Sequence, residues 1–160
     1  MSAGYLYLGC EMSVTPARPT ITDGRPHPQS PTPTGQTRAV LLAEDDDAVR
    51  TFVLMALEHA GFTVAAAADG VAAEKLFAAE PERFDLVLTD VIMPHMSGPE
   101  LAARIRHVRH DIPVLFMSAF TGGAGWMSDP LPPNESLLDK PFTVAALLEA
   151  VHRSLGDPSA

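Results

Sequence analysis

Apolar and polar positions follow two rhythms along this chain, and both begin at Arg38. Ala39–Ala43 is a continuous apolar run, as a buried strand requires. Val49, Val53, Ala56, Leu57 and Ala60 then recur at helical spacing, and Gly61 supplies a stop. Phe62–Ala66 reads as a second strand and Asp69-Gly70 as a turn. Val71–Ala79 reads as a helix with Ala72, Leu76 and Ala79 toward the core, closed by Pro81. Asp85–Thr89 is the third strand. Gly98-Pro99-Glu100 opens another helix, with proline where its missing N–H costs nothing. Leu101, Ile105 and Val108 form its buried face. Pro113–Met117 and Ser136–Asp139 are the fourth and fifth strands. Thr143 caps a last helix striped by Val144, Leu147, Leu148, Val151 and Leu155. Residues 119–135 break the pattern with Gly122, Gly123, Gly125, Pro130, Pro132 and Pro133, leaving room for only a short helix near Ala124–Ser128.

Short apolar strands alternating with helices imply right-handed crossovers and a parallel α/β sheet covered on both faces. Functional groups in such sheets gather at the carboxyl ends of the strands. The chain places chemistry there repeatedly. Glu44 and Asp45 follow the first strand, Asp90 ends the third, Ser118 the fourth and Lys140 the fifth. Each has an ordinary reading alone: a solvated acid run or helix N-terminal charge, a turn, a surface loop. Their coincidence in one domain is what calls for a shared site. Three crowded carboxylates repel and need a cation beyond Lys140. An all-oxygen set with no Cys and no paired His suits Mg²⁺. With charge neutralised, the Asp90 carboxylate becomes a candidate nucleophile toward a phosphoryl group, with Lys140 and the Ser118 hydroxyl receiving phosphoryl oxygens.

Composition narrows this further. The 160 residues, 46% hydrophobic, suit one globular domain plus tails. From Pro16 to Pro33 the chain is rich in proline and polar residues and offers nothing to bury. Residues 1–37 are therefore expected as a disordered tail, 38–156 as the domain and 157–160 as a second tail. The formal charge of −9 argues against nucleic acid as the main partner. No apolar run approaches the ~18 residues of a membrane span. Cys10 is the only cysteine, so no internal disulfide exists and a cytoplasmic setting is expected. Met1–Cys10 lacks the positive start and apolar length of a signal segment.

Val40-Leu41-Leu42-Ala43-Glu44-Asp45-Asp46, Asp90-Val91-Ile92-Met93-Pro94-His95-Met96-Ser97-Gly98, Met117-Ser118-Ala119 and Asp139-Lys140-Pro141-Phe142 together resemble the successive signatures of response regulator receiver domains, including those attached to hybrid histidine kinases. The resemblance covers about residues 38 to 156. It implies a flavodoxin-like (βα)5 fold. It implies Asp90 as phosphoacceptor, loaded from a sensor histidine kinase or histidine phosphotransfer protein. It also implies Mg²⁺ on Glu44, Asp45, Asp90 and the Ile92 backbone carbonyl, with Ser118 and Lys140 binding the phosphoryl group, and a cis Lys140–Pro141 bond. Ser118 stands where many members have Thr, and Leu137 where many have Tyr or Phe.

The expected role is a signalling module rather than an enzyme. It has no membrane or nucleic-acid partner and is a monomer or a phosphorylation-dependent dimer. No output domain is expected after the last helix, and output is expected by protein contact or onward phosphorelay, to a downstream protein the sequence does not identify. A receiver-like binding module that takes no phosphate is one alternative. A Mg²⁺-dependent phosphohydrolase is another, weakened because Val91 and Ile92 stand where a general acid is needed. Arg104, Arg106, His107, Arg109 and His110 give the third helix a basic end, read as solvated, with kinase docking as the sharper reading. Trp126 reads equally as a partner contact or a cover for the sheet edge.

Overall fold

The computed structural model describes residues 37–119 and 132–157. The expected tail, the short helix near Ala124–Ser128 and Trp126 lie outside the described residues. Five strands, β1 (Ala39–Ala43), β2 (Thr63–Ala67), β3 (Leu86–Asp90), β4 (Val114–Ser118) and β5 (Glu135–Asp139), form one sheet in the order β2-β1-β3-β4-β5. Every pairing is parallel. Among the described residues α1 (Asp47–His59), α2 (Gly70–Ala79) and α3 (Gly98–Val108) run between strands, α4 (Val144–Ser154) follows β5, and a 3-10 turn spans Pro81–Arg83. This is the doubly wound, flavodoxin-like order, and its direction reverses between β1 and β3.

The alternation of strand side chains builds two cores. Leu41, Val87, Val114 and Phe116 point to one face, where Ala73 and Phe77 of α2 and Leu101, Ala102 and Ile105 of α3 cover them. Val40, Leu42, Leu86, Leu88, Leu115 and Met117 point to the other, under Val53 and Leu57 of α1 and Leu147, Ala150 and Val151 of α4. Phe77 and Phe84 stack with centroids 6.1 Å apart. Truncating a buried aromatic of this kind typically costs about 3–5 kcal/mol.

Each helix starts on a side-chain cap. Asp46 Oδ1 accepts the amides of Ala48 and Val49 at 2.8 and 3.0 Å. Asp69 caps α2, Ser97 and Glu100 form a capping box on α3, and Thr143 caps α4 as expected.

The strand positions depart from expectation by one residue at several ends. Three strands run one residue further toward the site than their apolar runs, and Asp90 and Ser118 end β3 and β4 as expected. The face of α2 is also rotated. Ala73 and Phe77 are buried, whereas Leu76 and Ala79 are exposed. Alanine is present on all sides of this helix, so polarity alone does not mark its inner face, and the bulk of Phe77 decides it. Val108 is 61% exposed rather than buried, because it closes the last turn of α3 beyond Ile105.

The basic end of α3 is not a free solvated cluster. Arg109 Nη1 donates to the carbonyls of Pro81 and Phe84 at 3.1 and 2.6 Å, clipping the approach to β3. Arg104 pairs with Glu74 of α2 at 3.1 Å, and Arg106 pairs with Glu135 at the start of β5.

Candidate functional site

Strand register brings the predicted residues together. Ala43 lies beside Thr89, so the next residue of each strand, Glu44 and Asp90, are neighbours. Asp90 is registered with Met117, and Ser118 with Asp139, one residue before Lys140. All five side chains thus stand at the carboxyl edge of the sheet, with Glu44, Asp45 and Asp90 at the point where its order reverses between β1 and β3.

The Lys140 ammonium joins the acids. Its Nζ donates to Glu44 Oε2 at 2.8 Å and to Asp90 Oδ2. The Glu44 side chain is 1% exposed, and those of Asp90 and Lys140 are 15% and 16% exposed. The Ile92 amide donates to Asp90 Oδ1 at 3.0 Å, so both carboxylate oxygens of Asp90 are held. Ser118 is buried beside them, and its carbonyl accepts the Lys140 amide at 2.6 Å. The Lys140–Pro141 bond is cis.

Burial pushes the Glu44 carboxyl above its ordinary value, and the nearby Asp90 charge adds to this, although the hydrogen bond from Lys140 opposes both. Burial pulls Lys140 down, but its bonds to Asp90 and Glu44 outweigh burial and leave the ammonium above its ordinary value. One lysine therefore serves more negative charge than it balances. Ligand oxygens of Glu44, Asp45 and Asp90 lie within 4.8 Å of one another. This compact, oxygen-only, under-neutralised group suits a hard divalent cation.

The acid run divides by position. Glu44 is buried in the site, Asp45 completes the carboxylate group, Asp46 caps α1, and Asp47 pairs with Arg50. Its reading as only a solvated face is therefore overturned for Glu44. Met93 and Met96 are buried packing residues. Leu137 sits partly exposed on β5, with no aromatic in its place.

Two neighbours of the site were not assigned to it from the sequence, although Gly98 was read there as a helix opener. Gly98 lies against the backbone of Asp90, and Arg50 reaches the carbonyls of Glu44 and Asp45. An arginine three residues after Asp47 is the only sequence hint of the second.

The family model of the response regulator receiver domain matches residues 40–152. The chain belongs to the response regulator receiver family. The receiver is 36% identical over 118 residues to the response regulator receiver protein CpdR of Brucella abortus, covering 74% of this chain and 97% of that protein. It is 37% identical over 116 residues to sensor kinase CckA of the same organism, covering 72% of this chain but 12% of that protein. Among solved structures, the receiver domain of hybrid histidine kinase CckA aligns with a TM-score of 0.63 at 32% identity, over 73% of this chain and 98% of that one. Chemotaxis protein CheY4 of Vibrio cholerae aligns with a TM-score of 0.66 at 30% identity, over 74% and 99%. The receiver is thus a signalling domain of two-component systems. Among its described residues no helix is long and apolar enough to cross a membrane.

Proposed function

We propose that this receiver accepts a phosphoryl group on Asp90 from a phosphohistidine of a sensor histidine kinase or histidine phosphotransfer protein. The observation that carries this is Lys140 Nζ bound to both Asp90 and buried Glu44. A positive charge is already held at the oxygen where the transferred charge would appear. An Asp90 oxygen forms a bond to phosphorus as the P–N bond breaks, and the electron pair leaves with the imidazole nitrogen. Water later cleaves the acyl phosphate and returns carboxylate and inorganic phosphate.

Lys140, a point charge on a mobile stem, follows a phosphoryl oxygen without leaving the site. The Ser118 hydroxyl at the end of β4 receives another oxygen. Glu44, Asp45 and Asp90, with the Ile92 carbonyl that the family resemblance implies, would hold Mg²⁺. Its chemistry would be to neutralise phosphoryl oxygens during transfer. Residues 38–156 act as the receiver, with 1–37 and 157–160 as tails. The module is cytoplasmic, a monomer or a phosphorylation-dependent dimer, and signals by protein contact or onward relay.

Incubation with Mg²⁺ and acetyl phosphate or phosphoramidate, followed by intact mass, tests this. One labile phosphoryl adduct is expected, lost without Mg²⁺ and in Asp90→Ala. No adduct under any condition would favour a binding module that takes no phosphate.

A further inference from the structure

Arg50 stands in the first turn of α1, with its side chain 21% exposed. Its guanidinium spans the turn that joins β1 to this helix. Nη1 donates to the carbonyl of Glu44 at 2.7 Å and more weakly to that of Asp45 at 3.3 Å. Nη2 donates to the Asp47 carboxylate. On the other side, the Glu44 amide donates to the carbonyl of Ala67 at 3.1 Å. Both acidic residues have just left the β1 ladder, so their carbonyls need a donor from elsewhere. A planar fork with several donors serves them together, which a lysine's single ammonium does less well.

We propose that Arg50 is a positioning residue: it fixes the Glu44–Asp45 backbone so that their carboxylates converge on Asp90, and thereby sets the receiver's affinity for Mg²⁺. This rests on the phosphoacceptor reading given above. A plain ion pair with Asp47 would carry no such consequence, since an exposed i,i+3 pair adds little.

The sign of the effect separates placement from charge. Removing a cation beside an acidic site strengthens its attraction for another cation. Removing the clamp that places the ligands weakens it, on the order of tenfold for a lost outer-shell partner.

The test is a Mg²⁺ titration of the full chain by calorimetry, with amide NMR shifts as a second reading, on wild type, Arg50→Gln and Arg50→Lys. Both variants are expected to bind Mg²⁺ more weakly, on the order of tenfold for Arg50→Gln. The rate of adduct formation from phosphoramidate should fall at low Mg²⁺ and recover at saturating Mg²⁺. Unchanged or tighter binding in Arg50→Gln overturns the proposal. Should that variant fail to fold, Arg50→Lys, which keeps the charge and the stem, decides in the same direction. A wild-type chain that neither binds Mg²⁺ nor forms an adduct overturns the phosphoacceptor reading, and this proposal falls with it.

Discussion

A Cβ on Gly98 would stand 2.2 Å from the carbonyl oxygen of Asp90. The chain leaves β3 at Asp90 and doubles back, and the Gly98 amide donates to the carbonyl of Val91 at 3.0 Å. His95, with φ of 67°, takes a left-handed conformation within this turn. Here glycine serves close approach, so that α3 begins against the strand end that carries Asp90. Gly98→Ala must push that backbone aside. A loss of about 1–3 kcal/mol in chemical denaturation is expected, as for overpacking elsewhere, with slower adduct formation on Asp90. Wild-type stability together with a wild-type rate would show that the loop yields freely.

Lys140 predicts an alkaline limit to stability. Its folded value lies above the ordinary 10.5, because its bonds to Asp90 and Glu44 outweigh its burial. A base with a raised folded value stabilises fully below the unfolded value, and that contribution disappears as pH rises through the folded one. Lys75 is the one other lysine of the chain. Urea denaturation in chelator from pH about 9 to about 11 should show stability falling at the alkaline end. Lys140→Met should remove most of that fall. An equal fall in the variant would assign it to other groups.

Arg106 and Glu135 tie α3 to the first residue of β5, and the Glu135 side chain is only 6% exposed. Two further nitrogens of Arg106, Nε and Nη2, are buried without a hydrogen-bond partner. Such a pair costs much to break and little to replace. Glu135 left alone in Arg106→Ala should cost about 3–5 kcal/mol, whereas Arg106→Met combined with Glu135→Leu should lie within about 1–2 kcal/mol of wild type. The double-mutant cycle reads the coupling directly. Additive single losses would mean that the two side chains act independently.

Much of this receiver was legible along the chain. Continuous apolar runs such as Val40-Leu41-Leu42 mark strands covered on both faces, and their alternation with helices specifies a parallel sheet. That topology collects Glu44, Asp45, Asp90, Ser118 and Lys140 at one edge, so the membership of the site followed from local pattern plus a general rule of sheet geometry. Tertiary structure decided what depends on distance between segments remote in sequence. The face of α2 turned on where Phe77 found space, because an alanine-rich helix carries little directional polarity. The basic end of α3 became a set of clips because Pro81, Phe84, Glu74 and Glu135 lie within reach. Gly98 against Asp90, Arg50 under Glu44, and the burial that raises Glu44 arise only when the strands stand side by side. Periodicity reports which way a side chain points from its own element, whereas closeness, burial and charge balance belong to the assembled sheet.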